Sequence, residues 1–205
     1  LPRGRSARQE YINDVIVDRA LAGKRVVRFK GGDNFVFGRG FEEILACREA
    51  GVPVTVVPGL SSALAVPGLA QIPITHRGVA HEFTVVSGHL PPGHPESLVE
   101  WSALAGLRGT LVLLMAVENA PAIATTLMTQ GRPGTTPVAV VCDGTMPTER
   151  TELTTLEHLA LALGTAALTT TGRGKEDAVG IESGHQAVSL GHFQNSIVID
   201  GNFHI

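Results

Sequence analysis

The sequence has few of the features that mark secreted, membrane or nucleic-acid-binding proteins. Only two of its 205 residues are cysteines, Cys47 and Cys142, which suggests buried free thiols in a cytoplasmic protein rather than a disulfide framework. The formal net charge of -3 gives no general attraction to nucleic acid or to an anionic membrane. The longest apolar run, Leu111–Val117, is far too short to span a bilayer, and no secretory signal opens the chain. The histidines show no metal-ligand spacing, so no metal is expected.

What the sequence does contain is an alternation of short apolar runs with helical patterns. With 43% apolar and 17% charged residues, the composition is that of a globular chain with a sizeable core. Strands that alternate with helices predict an α/β fold. The predicted strands are residues 25–30, 52–57, 83–87, 110–115 and 138–141, with a late strand at 195–200. The predicted helices are residues 8–23, 40–50, 61–69, 119–130 and 156–163, with a short helix near Trp101.

A loop rich in proline, glycine and histidine, residues 88–95, is the best candidate for a boundary between two lobes. We therefore expect an N-terminal α/β lobe over residues 1–88 and a C-terminal α/β lobe over residues 89–205. The tail after about residue 163 is atypical, because residues 169–191 are polar and rich in glycine where an apolar strand is expected.

The segment with the most chemical information is Lys30–Gly40, which follows a predicted strand and precedes a predicted helix. Such a turn is a common place to bind a nucleotide-like ligand. Its glycines let backbone N–H groups approach the ligand, and a carboxylate such as Asp33 can meet a hydroxyl or a positive charge. The chain has no Gly-x-Gly-x-x-Gly after a first strand, which argues against a nucleotide-binding oxidoreductase.

Four further motifs follow this segment along the chain. They are Val56–Ala63, Gly68–Gly78, Leu111–Val117 and Val138–Thr145. In residues and in order, the five motifs closely resemble those of the uroporphyrinogen-III C-methyltransferases, a family of tetrapyrrole methylases, over about residues 6–160. The resemblance implies a fold of two α/β lobes with the cofactor in the cleft between them, usually as a homodimer.

The reaction implied by the resemblance takes methyl groups from S-adenosylmethionine and places them on pyrrole carbons of uroporphyrinogen III. The product, precorrin-2, leads to sirohaem and to cobalamin, and the sequence does not distinguish these pathways. Methyl transfer from a sulfonium is an in-line displacement at carbon, so positioning of the two partners carries much of the rate. The expected partners are the small tetrapyrrole and a second copy of the chain, with no nucleic acid and no membrane.

The resemblance also implies which residues form the site. The cofactor-binding positions are Gly31, Gly32, Asp33, Val36, Ser61, Ser62, Met115 and Gly144. Met115 offers a polarizable surface for an adenine ring or a thioether, whereas the two serines could instead cap a helix. Because the substrate carries several carboxylates, Arg77 and Arg39 are the leading substrate-binding candidates, followed by Arg28 and the arginines at 3, 5 and 8. Arg39 could instead brace its own loop.

The sequence also departs from the family pattern. The family's N-terminal cofactor loop, and the aspartate and lysine thought to handle protons, would lie upstream of residue 1, so no catalytic residue is predicted. Asn34 replaces the usual proline, which we expect to loosen that turn, and Phe41 replaces the usual glycine. We expect a fragment or aberrant version of the methyltransferase, weakly active or inactive alone. The alternatives are a methylase acting on a later precorrin, and a non-catalytic chain that binds cofactor or tetrapyrrole or serves as a dimerisation partner.

Overall fold

The structure is a computed structural model that describes residues 9–163 and the strand at residues 196–199. By their contacts, the described residues fall into two compact units, residues 9–61 and residues 62–163 with 196–199. This boundary differs from the one predicted at residues 88–89, because the strand Phe83–Ser87 pairs in the sheet of the second unit. Within these residues, no helix combines the length and the apolar character needed to cross a membrane.

The first unit contains two helices that pack on each other, α1 (Gln9–Leu21) and α2 (Gly40–Glu49), both close to their predicted bounds. The strands predicted at residues 25–30 and 52–57 are wrong, since no strand is assigned in either segment. A strand is defined by ladder hydrogen bonds to a neighbour, and no described residue forms such a ladder with them. Their apolar side chains are therefore exposed, as for Val27 at 78% and Val57 at 77%.

The second unit is built on a five-stranded sheet in the order β1-β2-β5-β3-β4. Strands β1 and β2 are parallel, whereas β5 runs antiparallel to both β2 and β3, and β4 runs antiparallel to β3. Consequently β1, β2 and β3 point in the same direction. The strands are β1 (Phe83–Ser87), β2 (Thr110–Leu114), β3 (Pro137–Cys142), β4 (Arg150–Thr155) and β5 (Ser196–Ile199), and the helices are α3 (Ser62–Leu69), α4 (Trp101–Gly106) and α5 (Ala120–Thr129).

Helices cover both faces of this sheet, which explains why all five residues of β2 are buried. On one face, Leu111 and Leu113 pack in a cluster with α4, α5 and the 3₁₀ turn Leu156–His158. On the other face, Val112 and Leu114 pack with Ala63 of α3. The strand Thr110–Leu114 therefore shows no alternation of apolar and polar residues, because neither of its faces is exposed to water.

A buried arginine closes the connection between α4 and β2. Arg132 is 5% exposed and its guanidinium donates to the backbone carbonyls of Leu104 and Leu107, each at 3.3 Å, and of Gly109 at 3.1 Å. The Leu104 carbonyl also accepts from the Leu107 N–H at 3.3 Å, and Arg132 adds a donor to it and to the two carbonyls that follow the helix. This arrangement holds the end of α4 against the start of β2.

In the C-terminal part, two predicted elements are present and one strand was missed. The late strand is confirmed as β5, which inserts between β2 and β3. The helix predicted at 156–163 is present, but it begins as a 3₁₀ turn and becomes α-helical at 159–163. Strand β4 was not predicted, since this threonine-rich segment is mostly exposed at the sheet edge. The polar residues 169–191, like the arginines at 3, 5 and 8, lie outside the described residues.

Candidate functional site

In the first unit, Asp33 organises the glycine-rich segment that it belongs to. Its Oδ1 atom accepts hydrogen bonds from the backbone N–H groups of Phe35 at 2.8 Å and Val36 at 3.1 Å. The hydrogen bond from Phe35, then that from Val36, lowers the pKa of the Asp33 carboxyl below its ordinary value. Asp33 is therefore ionised at neutral pH, and a carboxylate has acceptor capacity beyond these two bonds.

The second motif packs directly against the first one. A Cβ atom built on Gly59 would overlap the carbonyl oxygen of Gly32, so the two backbones are in contact and only glycine fits there. Nearby, the side-chain Nδ2 of Asn34 donates to the carbonyl of Val57 at 2.7 Å. We expected Asn34 to loosen its turn, but the structure shows the amide joining the turn to the neighbouring segment.

Several residues beside the predicted positions adopt a strained backbone. Phe37 and Arg39 have φ values of 54° and 56°, and in the second unit Met115 and Asp143 have 57° and 53°. The left-handed region costs a non-glycine residue about 1–2 kcal/mol, so such residues persist only where their surroundings hold them. Strain of this kind clusters at functional sites, and its distribution here agrees with the predicted positions.

A buried carboxylate anchors the approach to the glycine-rich segment. Glu43 of α2 is 6% exposed, and its Oε1 accepts from Lys30 Nζ at 3.0 Å, Arg28 Nε at 3.1 Å and Gln9 Nε2 at 3.3 Å. Lys30 begins the glycine-rich segment, so this cluster holds the start of the segment on α2. The sequence did not reveal it, because Glu43 is one of several acidic residues on that helix.

In the second unit, the predicted positions Met115 and Gly144 follow directly after β2 and β3. Because β1, β2 and β3 point the same way, their carboxyl ends meet at one edge of the sheet, where α/β proteins commonly bind ligands. A Cβ on Gly144 would come within 2.6 Å of the Val66 side chain of α3, so glycine is required for α3 to pack this closely. Ser62 is the first residue of α3, which brings it to the same layer.

One residue at this edge was missed by the sequence analysis. Asn119 Nδ2 donates to the carbonyls of Gly88 at 2.8 Å and His89 at 3.0 Å, just after β1. The Gly88 N–H in turn donates to the Leu114 carbonyl at 2.8 Å. Asn119 thus fixes the loop after β1 beside the end of β2. The only available signal was an asparagine just before a helix, which usually indicates a cap, yet this side chain makes no cap hydrogen bond.

The candidate substrate-binding arginines have different surroundings. Arg39 is exposed and forms a two-point ion pair with Glu42, at 2.8 Å from Nε and 2.7 Å from Nη2, and this hydrogen bonding raises the pKa of Arg39. These contacts fit the alternative interpretation, in which Arg39 braces its own loop. Arg28 is engaged by Glu43 and by the carbonyl of Phe29. Arg77 is exposed and makes no hydrogen bond or ion pair within the described part of the chain.

The predicted cofactor positions are thus distributed over both units. Gly31, Gly32, Asp33, Val36 and Ser61 belong to the first, and Ser62, Met115 and Gly144 to the second. Within the first unit, an open apolar groove lies near Arg48 but contains none of these positions. Across residues 9–163, no three His, Cys, Asp or Glu side chains are grouped so that they could hold a metal ion.

Comparison with known proteins identifies the family of the chain. An α/β sheet with glycines and strained residues after its parallel strands is typical of ligand-binding α/β proteins. The family described as Tetrapyrrole (Corrin/Porphyrin) Methylases matches residues 2–160, and the chain belongs to that family. The uroporphyrinogen-III C-methyltransferase of Methanocaldococcus jannaschii is 46% identical over 146 residues, which cover 71% of this chain and 60% of that protein. Siroheme synthase 1 of Yersinia pseudotuberculosis is 44% identical over 154 residues, 75% of this chain and 32% of that protein.

Solved structures show the same likeness. The uroporphyrin-III C-methyl transferase of Thermus thermophilus, in complex with S-adenyl homocysteine, matches with a TM-score of 0.67 and 35% identity, over 93% of this chain and 72% of that one. A cobalt precorrin-4 methyltransferase shares the fold with a TM-score of 0.75 at 21% identity, over 96% of this chain and 72% of that one. The α/β fold predicted from the sequence is confirmed. The chain spans 60% of the length of its archaeal relatives.

Proposed function

We propose that the chain carries the methyl-donor site of an S-adenosylmethionine-dependent methyltransferase that acts on uroporphyrinogen III. The observation that carries this proposal is the backbone contact between Gly32 and Gly59, two glycines from different motifs of the family. That contact places two loops side by side with no side chain between them, which suits close approach of backbone groups to a ligand. The relative from Methanocaldococcus jannaschii, whose name states this activity, supports the choice of substrate.

The first unit fits the methyl donor by its chemistry. Asp33 is held ionised by the N–H groups of Phe35 and Val36. An ionised carboxylate can accept hydrogen bonds from a ribose hydroxyl or from the ammonium of a methionine moiety. When bound, S-adenosylmethionine supplies an electrophilic methyl group on a positively charged sulfur. The work left to this chain is to orient the donor, since this transfer needs no strong acid or base.

The second unit offers candidate donor contacts of its own. Gly144 is buried against Val66 of α3, and this packing fixes the position of the backbone after β3. Met115, half-buried after β2, offers a thioether surface to the adenine or to the donor sulfur. Asn119 holds the loop after β1, so this edge is preorganised before a ligand arrives.

Of the two arginines predicted to bind substrate carboxylates, we favour Arg77. Arg39 already has a carboxylate partner in Glu42, and a substrate carboxylate would have to compete with it. Arg77 makes no ion pair with another described residue, so its planar fork is available for two hydrogen bonds to a carboxylate. An Arg77→Ala variant is expected to weaken uroporphyrinogen III binding, while Arg39→Ala has the smaller effect.

The first test is calorimetric titration of S-adenosylhomocysteine into the purified chain, with circular dichroism to confirm folding. We expect saturable binding that Asp33→Ala abolishes. Asp14→Ala, an exposed aspartate of α1, is the matched control and should leave binding unchanged. Asp33→Asn separates the two roles, because an amide oxygen can still accept from Phe35 and Val36 but carries no charge. A folded chain that does not bind would contradict the proposal.

The second test is methyl transfer to uroporphyrinogen III by the purified chain. Turnover would support the proposed activity, whereas donor binding without turnover would limit the chain to a binding role. A panel with later precorrins checks the substrate, and faster methylation of one of these would replace uroporphyrinogen III in the proposal. A homodimer is also proposed, on the basis of the family, and sedimentation equilibrium measures it.

A further inference from the structure

Asn34 occupies a junction between three pieces of the first unit. Its side-chain Nδ2 donates to the Val57 carbonyl at 2.7 Å, and its own carbonyl accepts from the Gly40 N–H at 3.0 Å. The residue itself belongs to the glycine-rich segment. It therefore links that segment to the first turn of α2 and to the chain just before Gly59.

The backbone of Asn34 is tightly packed against the turn that follows it. Cβ atoms built on Gly38 or on Gly40 would each come within 2.6 Å of the Asn34 carbonyl oxygen. A few residues away, the Gly59 backbone touches that of Gly32. Two strained residues, Phe37 and Arg39, lie in the same turn, and strained backbone persists only where its surroundings hold it.

An amide is the side chain that this position requires. Its N–H₂ group donates to a carbonyl, which a proline cannot do and an ionised aspartate would oppose. In this chain the turn is held from outside, by a hydrogen bond to the neighbouring motif.

We propose that Asn34 is a positioning residue that holds the Gly31–Gly38 loop against Val57–Gly59 and so preorganises the methyl-donor site. This rests on the proposed function, because the two loops carry the predicted cofactor positions of the first unit. Without the bond the loops are held together less firmly, by the contact of Gly59 with Gly32 and Asp33, and binding has to order them further.

The test compares Asn34→Ala and Asn34→Asp with Asn13→Ala, an amide on α1 that serves as the matched control. Hydrogen exchange measures the backbone amides of Gly59 and Leu60, and calorimetry measures S-adenosylhomocysteine affinity. Both Asn34 variants should speed exchange at these two amides while α2 exchanges as before. Their affinity should fall about 3- to 10-fold, as expected for one lost hydrogen bond in the ordering of a site.

The outcomes separate this inference from the proposed function. If the parent chain does not bind S-adenosylhomocysteine, the proposed function fails, whereas the exchange rates at Gly59 and Leu60 still decide whether Asn34 holds the loops. Equal exchange in Asn34→Ala and Asn13→Ala would overturn the inference. If Asn34→Ala fails to fold, Asn34→Asp provides the same readouts, because it keeps the shape of the side chain while its carboxylate cannot donate to the Val57 carbonyl. Uniformly faster exchange throughout residues 9–61 would also overturn it, since that result indicates a general structural role.

Discussion

Replacing Glu43 by glutamine should destabilise the first unit far more than the same change at its neighbour Glu42. Both residues lie in the first turn of α2, so both changes remove the same favourable interaction with the helix dipole. They differ in burial. The Glu43 side chain is 7% exposed and pairs with Lys30, which is 10% exposed, whereas the pair between Glu42 and Arg39 is 48% and 59% exposed.

The magnitude follows from these exposures. Removing one partner of a buried ion pair costs about 3–5 kcal/mol, because the other charge stays buried without compensation. The second cation on Glu43, Arg28, is one-third exposed at 33% and adds only about 0–1 kcal/mol. Since a glutamine oxygen still accepts a hydrogen bond from Lys30, we expect a loss of about 2–4 kcal/mol for Glu43→Gln. The exposed pair predicts a much smaller loss for Glu42→Gln, because solvent screens it.

The assay is urea unfolding followed by far-ultraviolet circular dichroism, with hydrogen exchange of α2 to locate the loss. A double variant, Glu43→Leu with Lys30→Met, should recover much of the stability, because it removes both charges together. The reasoning is refuted if Glu43→Gln and Glu42→Gln differ by less than about 0.5 kcal/mol, the usual size of a surface effect.

Three further predictions concern other parts of the chain. Gly59→Ala should lower the free energy of unfolding by about 1–3 kcal/mol and the S-adenosylhomocysteine affinity at least about tenfold, because the added Cβ meets backbone. Urea unfolding and calorimetry measure the two values, and the control Gly68→Ala, which has open space around it, should leave both unchanged. Arg132→Met should lower the free energy of unfolding by about 2–3 kcal/mol, measured by urea unfolding, because it removes the guanidinium donor from the part-buried Leu107 carbonyl and the buried Gly109 carbonyl; a loss below about 1 kcal/mol would contradict this. The pKa of Asp33 in the folded chain is lowered from its ordinary value of 3.8. The hydrogen bonds that Asp33 accepts therefore stabilise the folded chain fully above pH 3.8, and this stabilisation is lost as the pH falls through the lower folded-state pKa. A carboxyl NMR titration checks this, and a midpoint at or above 3.8 would contradict it.

Elements with local signals were predictable from the sequence. The apolar runs of β1, β2 and β3 and the helices α1, α2, α3 and α5 lie close to where hydrophobic pattern and turn residues placed them. The motifs also sufficed to indicate the family, because a larger residue does not fit at Gly59, which contacts backbone, or at Gly144, which contacts the Val66 side chain. Pattern alone failed at residues 25–30 and 52–57, because an apolar run becomes a strand only when a neighbour completes its ladder.

The sequence by itself determined the class of fold, the order of the motifs and the residue types of the candidate site, since these depend on local preference and on steric limits of single residues. Only the tertiary structure decided which partners those residues meet. It placed β5 between β2 and β3, paired Arg39 with Glu42, buried Glu43 beneath Lys30 and turned Asn34 toward Val57. Each of these is a contact between chain segments brought together by folding, and its geometry depends on packing around both partners rather than on either residue alone.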